Sequence, residues 1–371
     1  MPLSDKQPKK RNFMPLFSHE SIQHVHGFEF LTYFQEGDSS KPLVVFFPGW
    51  AHLARIAYGG TDFFPFEESL AHAFLKHGNS FLAISYPLDN AVYSTIYPQM
   101  KIKDWAEGAA AIAQEILNRS HNPSLVAIHW SGGGHLLTRF KEACDALRIA
   151  HSFSISLEAT PPNIITQHDR LQDTEILANG LASIAKRYPT WAHELQTMLG
   201  KEVDVQRYKE NFLGAIPISL LGTSLVYREG SIQEDLASSM EDRQSLQFAR
   251  FPLVVSIAGN SQQASYHPIV DLATWSHTNI RKIYHGYLAP LSAEISQLSN
   301  DRWYQLQDLI ATFADQMIHF IGGNHFLFIG QIRTQQIVRI MEEAEKNIFA
   351  FRKTLADLLR IDPARLNGNR S

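Results

Sequence analysis

A chain of 371 residues, 44% of them hydrophobic and 19% charged, has the make-up of a globular protein long enough for one large α/β domain with insertions or for two domains. Its formal net charge of −4 gives no electrostatic case for nucleic acid or an anionic membrane surface. No apolar stretch approaches a membrane span and the N-terminus has no signal-peptide core, so the expected compartment is cytoplasmic; the single cysteine, Cys144, can build neither an internal disulfide nor a thiolate metal site.

Residues 1–40 read as an N-terminal extension, with a basic cluster at Lys6–Arg11 and one strand over His26–Glu36, where Phe28, Phe30 and Tyr33 alternate. Leu43–Phe47 is a continuous apolar run of the buried parallel-strand type. It ends at Pro48-Gly49-Trp50, where a glycine lets backbone N–H groups approach a ligand, and Trp50 or Ala51 is the candidate donor. Phe64–His77 is expected to be an amphipathic helix, Phe81–Tyr86 a buried strand and Lys103–Arg119 an alanine-rich helix.

The next stretch, Leu125–His135, is the one around which the rest is organised. An apolar strand, Leu125–Ile128, runs into Ser131 and three glycines, and a helix-compatible segment, His135–Leu147, follows. A strand turning sharply into a helix with serine at the corner is the nucleophile elbow of α/β-hydrolases. The corner strains the backbone, so its neighbours must be tiny; Gly132 and Gly133 supply that, and the Gly132 amide would face an oxyanion. The usual pattern is Gly-x-Ser-x-Gly, and here His129 stands in place of the first glycine.

His151–Leu157 is the following strand and delivers Glu158 at its carboxyl end, before Pro161-Pro162 stops regular structure. Residues 163–250 read as a helical lid without strands, with helices at Leu171–Arg187, Trp191–Leu199 and Asn211–Tyr227, the last breakable at Pro217. The lid divides a core of residues 41–162 and 251–371. Pro252–Ala258 resumes the sheet, Asn260–Asn300 looks irregular and polar, and Asp301–Asp315 is a helix. Gln316–Ile321 is the last strand, and Gly322-Gly323-Asn324-His325-Phe326 places a histidine just beyond it, ahead of a closing helix at Thr334–Leu359. The rhythm predicts a doubly wound, mostly parallel sheet with helices on both faces, and with the elbow at Ser131 and the helical lid insertion the expected fold is that of the α/β-hydrolases.

Ser131, then Glu158, then His325 is the chain order of the hydrolase triad. His325 would take the serine proton, Glu158 would fix its tautomer, and the amides of Gly132 and Trp50 would form the oxyanion hole. The loop after Pro252–Ala258 carries no carboxylate before Asp271, which makes Asp271 the runner-up acid. His52, His129, His135 and His319 are read as ordinary satisfied histidines among the 17.

Three stretches carry a family resemblance: Ala127-Ile128-His129-Trp130-Ser131-Gly132-Gly133, Leu157-Glu158-Ala159-Thr160-Pro161-Pro162 and Gly323-Asn324-His325-Phe326. They resemble the elbow, acid loop and histidine loop of the thioesterase domains of fatty-acid, polyketide and nonribosomal-peptide synthases, and Phe46-Phe47-Pro48-Gly49 is compatible with the oxyanion strand of that family. The departures are His129 for glycine, Glu158 for the usual aspartate, and extra length in Gly49–Phe64 and Asn260–Asn300. The resemblance implies a thioesterase that releases or cyclises an acyl group through an acyl-serine. Its partner would be an acyl carrier protein or acyl-CoA, and it would need no metal or cofactor beyond the phosphopantetheine arm of its substrate. A carboxylesterase or lipase with a helical lid, and an inactive hydrolase-fold binding protein, stay open at this point.

Overall fold

The structure is a computed structural model and describes residues 14–163, 173–262 and 266–366. The cluster Lys6–Arg11 lies outside the described residues. His26 and Gly27 both take positive φ (52° and 83°), the two-residue turn that matches strand twist, so β1 (Glu20–Val25) and β2 (Phe28–Gln35) fold into an antiparallel hairpin. The hairpin is part of the sheet, which corrects the boundary drawn at residue 40. Its buried Phe30 sits where a side chain on Gly108 would collide with it, so the hairpin is covered by a helix like any core strand.

The first half then follows the predicted rhythm. β3 (Leu43–Phe47), α1 (Leu70–Lys76), β4 (Phe81–Ser85), α2 (Ile102–Ser120), β5 (Leu125–Trp130), α3 (Leu137–Ala146) and β6 (His151–Leu157) alternate along the chain. Every residue of β3, β4 and β5 is buried, as parallel strands covered on both faces require. Cys144 is buried in α3.

The block expected to be an all-helical lid is mixed. β7 (Glu175–Ile176), β8 (Leu181–Ser183), α4 (Tyr188–Leu199), α5 (Val205–Phe212), β9 (Ile216–Pro217), β10 (Leu225–Arg228), β11 (Ser231–Glu234) and α6 (Leu236–Arg243) make it up. The predicted helix Leu171–Arg187 begins outside the described residues, and its described part is a hairpin of β7 and β8 followed by a single 3-10 turn at Ala185–Arg187. Asn179-Gly180 turns the chain in the hairpin, with Gly180 at φ 81° and its N–H bonded to Leu177 O at 3.0 Å. The predicted helix Asn211–Tyr227 stops at Phe212 because Gly214 packs on the Asp89 backbone and Pro217 cannot continue it. Glu229-Gly230, again both at positive φ, makes the turn of β10 and β11.

β12 (Val254–Gly259), α7 (Leu272–Lys282), α8 (Ser292–Ile295), α9 (Asn300–Gln316), β13 (Ile318–Ile321) and α10 (Gln331–Leu359) complete the chain. Much of the segment read as irregular is helical, with π turns at His267–Asp271 and Ile283–Leu288 flanking α7. Trp275, Thr278 and Asn279 are buried at helical spacing, and the Asn279 amide bonds both N and O of Val254 (2.9 and 2.8 Å) in place of a strand partner. Polar side chains that serve as buried anchors had disguised the helix.

The eight-stranded sheet has the order β1-β2-β4-β3-β5-β6-β12-β13, antiparallel at β1 and β2 and parallel from β4 onward. The carboxyl ends of β3, β5, β6 and β13 therefore open on one edge, where α/β sheets collect their chemistry. Among the described residues no helix is long and apolar enough to cross a membrane.

Candidate active site

Ser131 follows β5 at φ 51°, a left-handed conformation that L residues rarely hold without a reason. Its neighbours explain why only glycines serve there. A Cβ on Gly133 would lie 2.7 Å from Pro48 O, and one on Gly134 would lie 2.3 Å from Thr160 O. The Thr160 N–H donates to Ser131 O at 2.9 Å, which ties the corner to the loop after β6. His129 is wholly buried; its Nδ1 donates to Gly133 O at 3.0 Å, and its ring stacks on Phe47. It thus braces the elbow from the position where glycine is usual. Burial pushes the imidazole down to about 4, so it stays neutral.

Glu158, also at positive φ (46°), places a buried carboxylate beyond β6. Its Oε2 accepts from His325 Nδ1 at 2.8 Å and its Oε1 from the Gly259 N–H at 2.7 Å. Burial alone would raise this carboxyl, but the hydrogen bond and charge of His325, then the charge of His267 and the Gly259 amide, hold it below its ordinary value. With Nδ1 donating to the acid, Nε2 of His325 keeps its lone pair, as a general base requires. Trp130, one residue before Ser131, donates its indole N–H to His325 O at 2.9 Å, and the two rings lie 5.2 Å apart. The expected acid and base are therefore joined directly, and the expected nucleophile adjoins them through Trp130. Among the hydrogen bonds of the described residues none runs from Ser131 Oγ to an imidazole. Such bonds often tighten only when substrate binds.

The runner-up acid is engaged elsewhere. Asp271 is buried and bonded at 2.6 Å to His267 Nδ1, one helical turn away, and the His267 ring lies flat on His325, with centroids 4.5 Å apart and planes within 12°. His267 is the site residue that the sequence reading passed over; its i,i+4 spacing to Asp271 was the available signal. Ligand atoms of Glu158, His267 and His325 lie within 4.8 Å of one another. Imidazole lone pairs lie in the ring plane, however, so two rings stacked in parallel do not converge on one ion, and one nitrogen of each already faces a carboxylate.

The loop after β3, the expected source of an oxyanion donor, touches the elbow closely. A Cβ on Gly49 would fall 2.7 Å from Ser131 Cβ, and one on Gly132 would fall 2.1 Å from the Trp50 indole. The Trp50 indole N–H is buried and makes no hydrogen bond among the described residues. Gly49 O accepts from the Tyr86 hydroxyl at 2.9 Å, and Ala51 stands at φ 58°. The inserted block comes in from above: Asn324 Nδ2 donates to Glu194 O at 2.9 Å, and His52 touches Trp191 and Tyr208.

The strand order, the strained elbow and the loops at the strand ends make this an α/β-hydrolase fold. The chain matches no family model and no curated protein. Solved structures similar to it include a thioesterase domain from the curacin biosynthetic pathway (13% identity, covering 87% of this chain and 98% of that one, TM-score 0.42). Another is a thermophilic esterase from Thermogutta terrifontis (10% identity, 91% and 98%, TM-score 0.45). A third is an AqdC variant described as recognising and ring-cleaving the Pseudomonas quinolone signal (14% identity, 89% and 99%, TM-score 0.44). At such identities and scores these likenesses carry no argument about chemistry, which rests on the site.

Proposed function

We propose that this protein is a serine hydrolase of thioesterase type, acting on an acyl thioester borne by a carrier protein or by coenzyme A. The observation that carries the reading is the 2.8 Å bond between Glu158 and His325, set at the same sheet edge as a serine in a left-handed elbow. Ser131 Oγ attacks the acyl carbonyl carbon while its proton passes to His325 Nε2. The amides of Gly132 and Trp50 hold the oxyanion; the C–S bond then breaks and the thiol leaves with the proton from His325. Water attacks the acyl carbon as its proton passes to the same imidazole; the bond to Ser131 Oγ then breaks, the proton returns to Oγ and the acid leaves, and an internal hydroxyl or amine of the acyl chain in place of water would release a ring instead. Glu158 stays ionised throughout and stabilises the imidazolium.

A fluorophosphonate tests the chemistry. It is expected to label wild-type protein at Ser131, with the adduct located by mass spectrometry, and to leave Ser131→Ala unlabelled. Full thioesterase activity in Ser131→Ala would overturn the assignment. The thioester preference is tested separately, by comparing turnover of a butanoyl N-acetylcysteamine thioester with the matching oxygen ester. Preference for the oxygen ester would make the protein a carboxylesterase with the same machinery.

A further inference from the structure

Between the oxyanion loop and the inserted block stands a buried imidazole that the steps above leave unused. His52 lies among Trp130, Trp191 and Phe326. Its Nδ1 is 2.7 Å from Trp50 O and its Nε2 is 2.6 Å from the Tyr208 hydroxyl on α5. A carbonyl can only accept, so Nδ1 carries the hydrogen; Nε2 then accepts from Tyr208. Burial pushes this ring down to about 3, opposed by its bond to Trp50 O, so near neutral pH it is uncharged and its two hydrogen bonds select the tautomer.

The consequence lies in the peptide plane. The Trp50–Ala51 bond is trans, so its C=O and N–H point in opposite directions, and a carbonyl anchored on His52 turns the Ala51 N–H to the other side. The preceding peptide is treated alike, since Gly49 O is anchored by Tyr86 and the Trp50 N–H faces away from it. The His52 backbone N–H also closes a turn on Gly49 O at 3.4 Å, with Ala51 left-handed at φ 58°, so both anchored carbonyls sit in one tight turn. The loop is also laced to the end of α5 and the residues beyond it: Leu53 N–H donates to Phe212 O at 2.7 Å and Gly214 N–H to Ala51 O at 3.0 Å.

We propose that His52 is a positioning residue of the oxyanion loop. Held in one tautomer by Tyr208, it pins the Trp50 carbonyl and so holds the backbone of Trp50 on the side that Tyr86 does not reach, steadying the Trp50 N–H that meets the developing oxyanion, which lets the inserted block govern the geometry of the site. This rests on the hydrolase reading above, and it predicts a loss confined to transition-state stabilisation.

The test uses the full-length chain and p-nitrophenyl butyrate, with melting temperatures followed in parallel. His52→Leu is expected to lower kcat about ten- to a hundredfold with KM nearly unchanged, an effect below that of deleting an oxyanion donor outright. Tyr208→Phe should show a smaller loss of the same kind. His52→Asn, whose amide can donate from the Nδ1 position, should recover most of kcat. A rise in KM at constant kcat, or equal losses in the leucine and asparagine variants, would overturn the proposal and leave His52 a packing residue. A second arm needs no activity: nuclear magnetic resonance of isotope-labelled histidine must show the His52 ring as the Nδ1–H tautomer at neutral pH, and an Nε2–H ring sinks the proposal. Wild-type protein inert to both ester and fluorophosphonate would instead overturn the hydrolase reading, with the tautomer still deciding whether the loop is pinned.

Discussion

Two imidazole–carboxylate pairs lie face to face at the rim of the sheet, built in opposite ways. His267 and Asp271 are neighbours on one helical turn, and any helix with that spacing could bring them together. Glu158 and His325 are separated by 167 residues and meet only because β6, β12 and β13 lie side by side, with a strained backbone at Glu158 and a Gly-Gly-Asn loop before His325. The long-range pair adjoins the elbow through Trp130, whereas the local pair stacks on it from outside. A bond that only the completed fold can make is the better mark of a site than one that a heptapeptide could make.

The sharpest way to break this contrast is to remove each imidazole in turn. His325→Ala is expected to slow fluorophosphonate labelling and ester turnover by about 10³- to 10⁴-fold, the scale of losing a general base. His267→Ala should cost about tenfold or less, and the reverse order would transfer the base to His267. The carboxylates give the next test. Glu158→Gln is expected to cost about 10²-fold or more in kcat, because the imidazolium loses its buried counter-charge, while Asp271→Asn should cost a few-fold. Equal effects of these two variants would mean that the stacked pairs work as one unit.

A smaller effect concerns the histidines that have no carboxylate. His52 and His129 are pushed down to about 3 and about 4 by burial, from an ordinary value of 6.5. Above 6.5 they are neutral in both folded and unfolded chains and contribute nothing to pH dependence. Below it the unfolded chain takes up protons that the folded chain refuses, so stability falls as pH drops toward the folded values. Urea melts between about pH 8 and about pH 5 should show this loss, roughly 1 kcal/mol per unit for each ring below its ordinary value. Replacing His129 with asparagine should flatten the slope; an unchanged slope would place the titration elsewhere.

Much of the core was legible because its signals are local. Leu43–Phe47, Phe81–Ser85 and Leu125–Trp130 are largely apolar runs bounded by turns, and the three glycines after Ser131 mark a corner that packs too closely for any side chain. The order of Ser131, Glu158 and His325 could be read because each stands just beyond a strand. The inserted block was misread where short strands of two or three residues depend on turns, such as Asn179-Gly180, rather than on periodicity. The helix carrying His267 was hidden because its buried anchors, Asp271, Thr278 and Asn279, are polar. The role of His129 could not be read at all, since its bond to Gly133 exists only once the elbow has turned.

The lone cysteine has a practical consequence. Cys144 is fully buried and its thiol is raised far above the ordinary range by desolvation, so native protein offers no nucleophilic sulfur to a labelling reagent. A cysteine introduced on the exposed face of the inserted block, at Leu236 for example, would be the single site that a maleimide dye finds, without a prior cysteine-free background. With a second dye at Ile332 on α10, distance measurements could follow the block against the sheet during turnover in an otherwise unaltered chain.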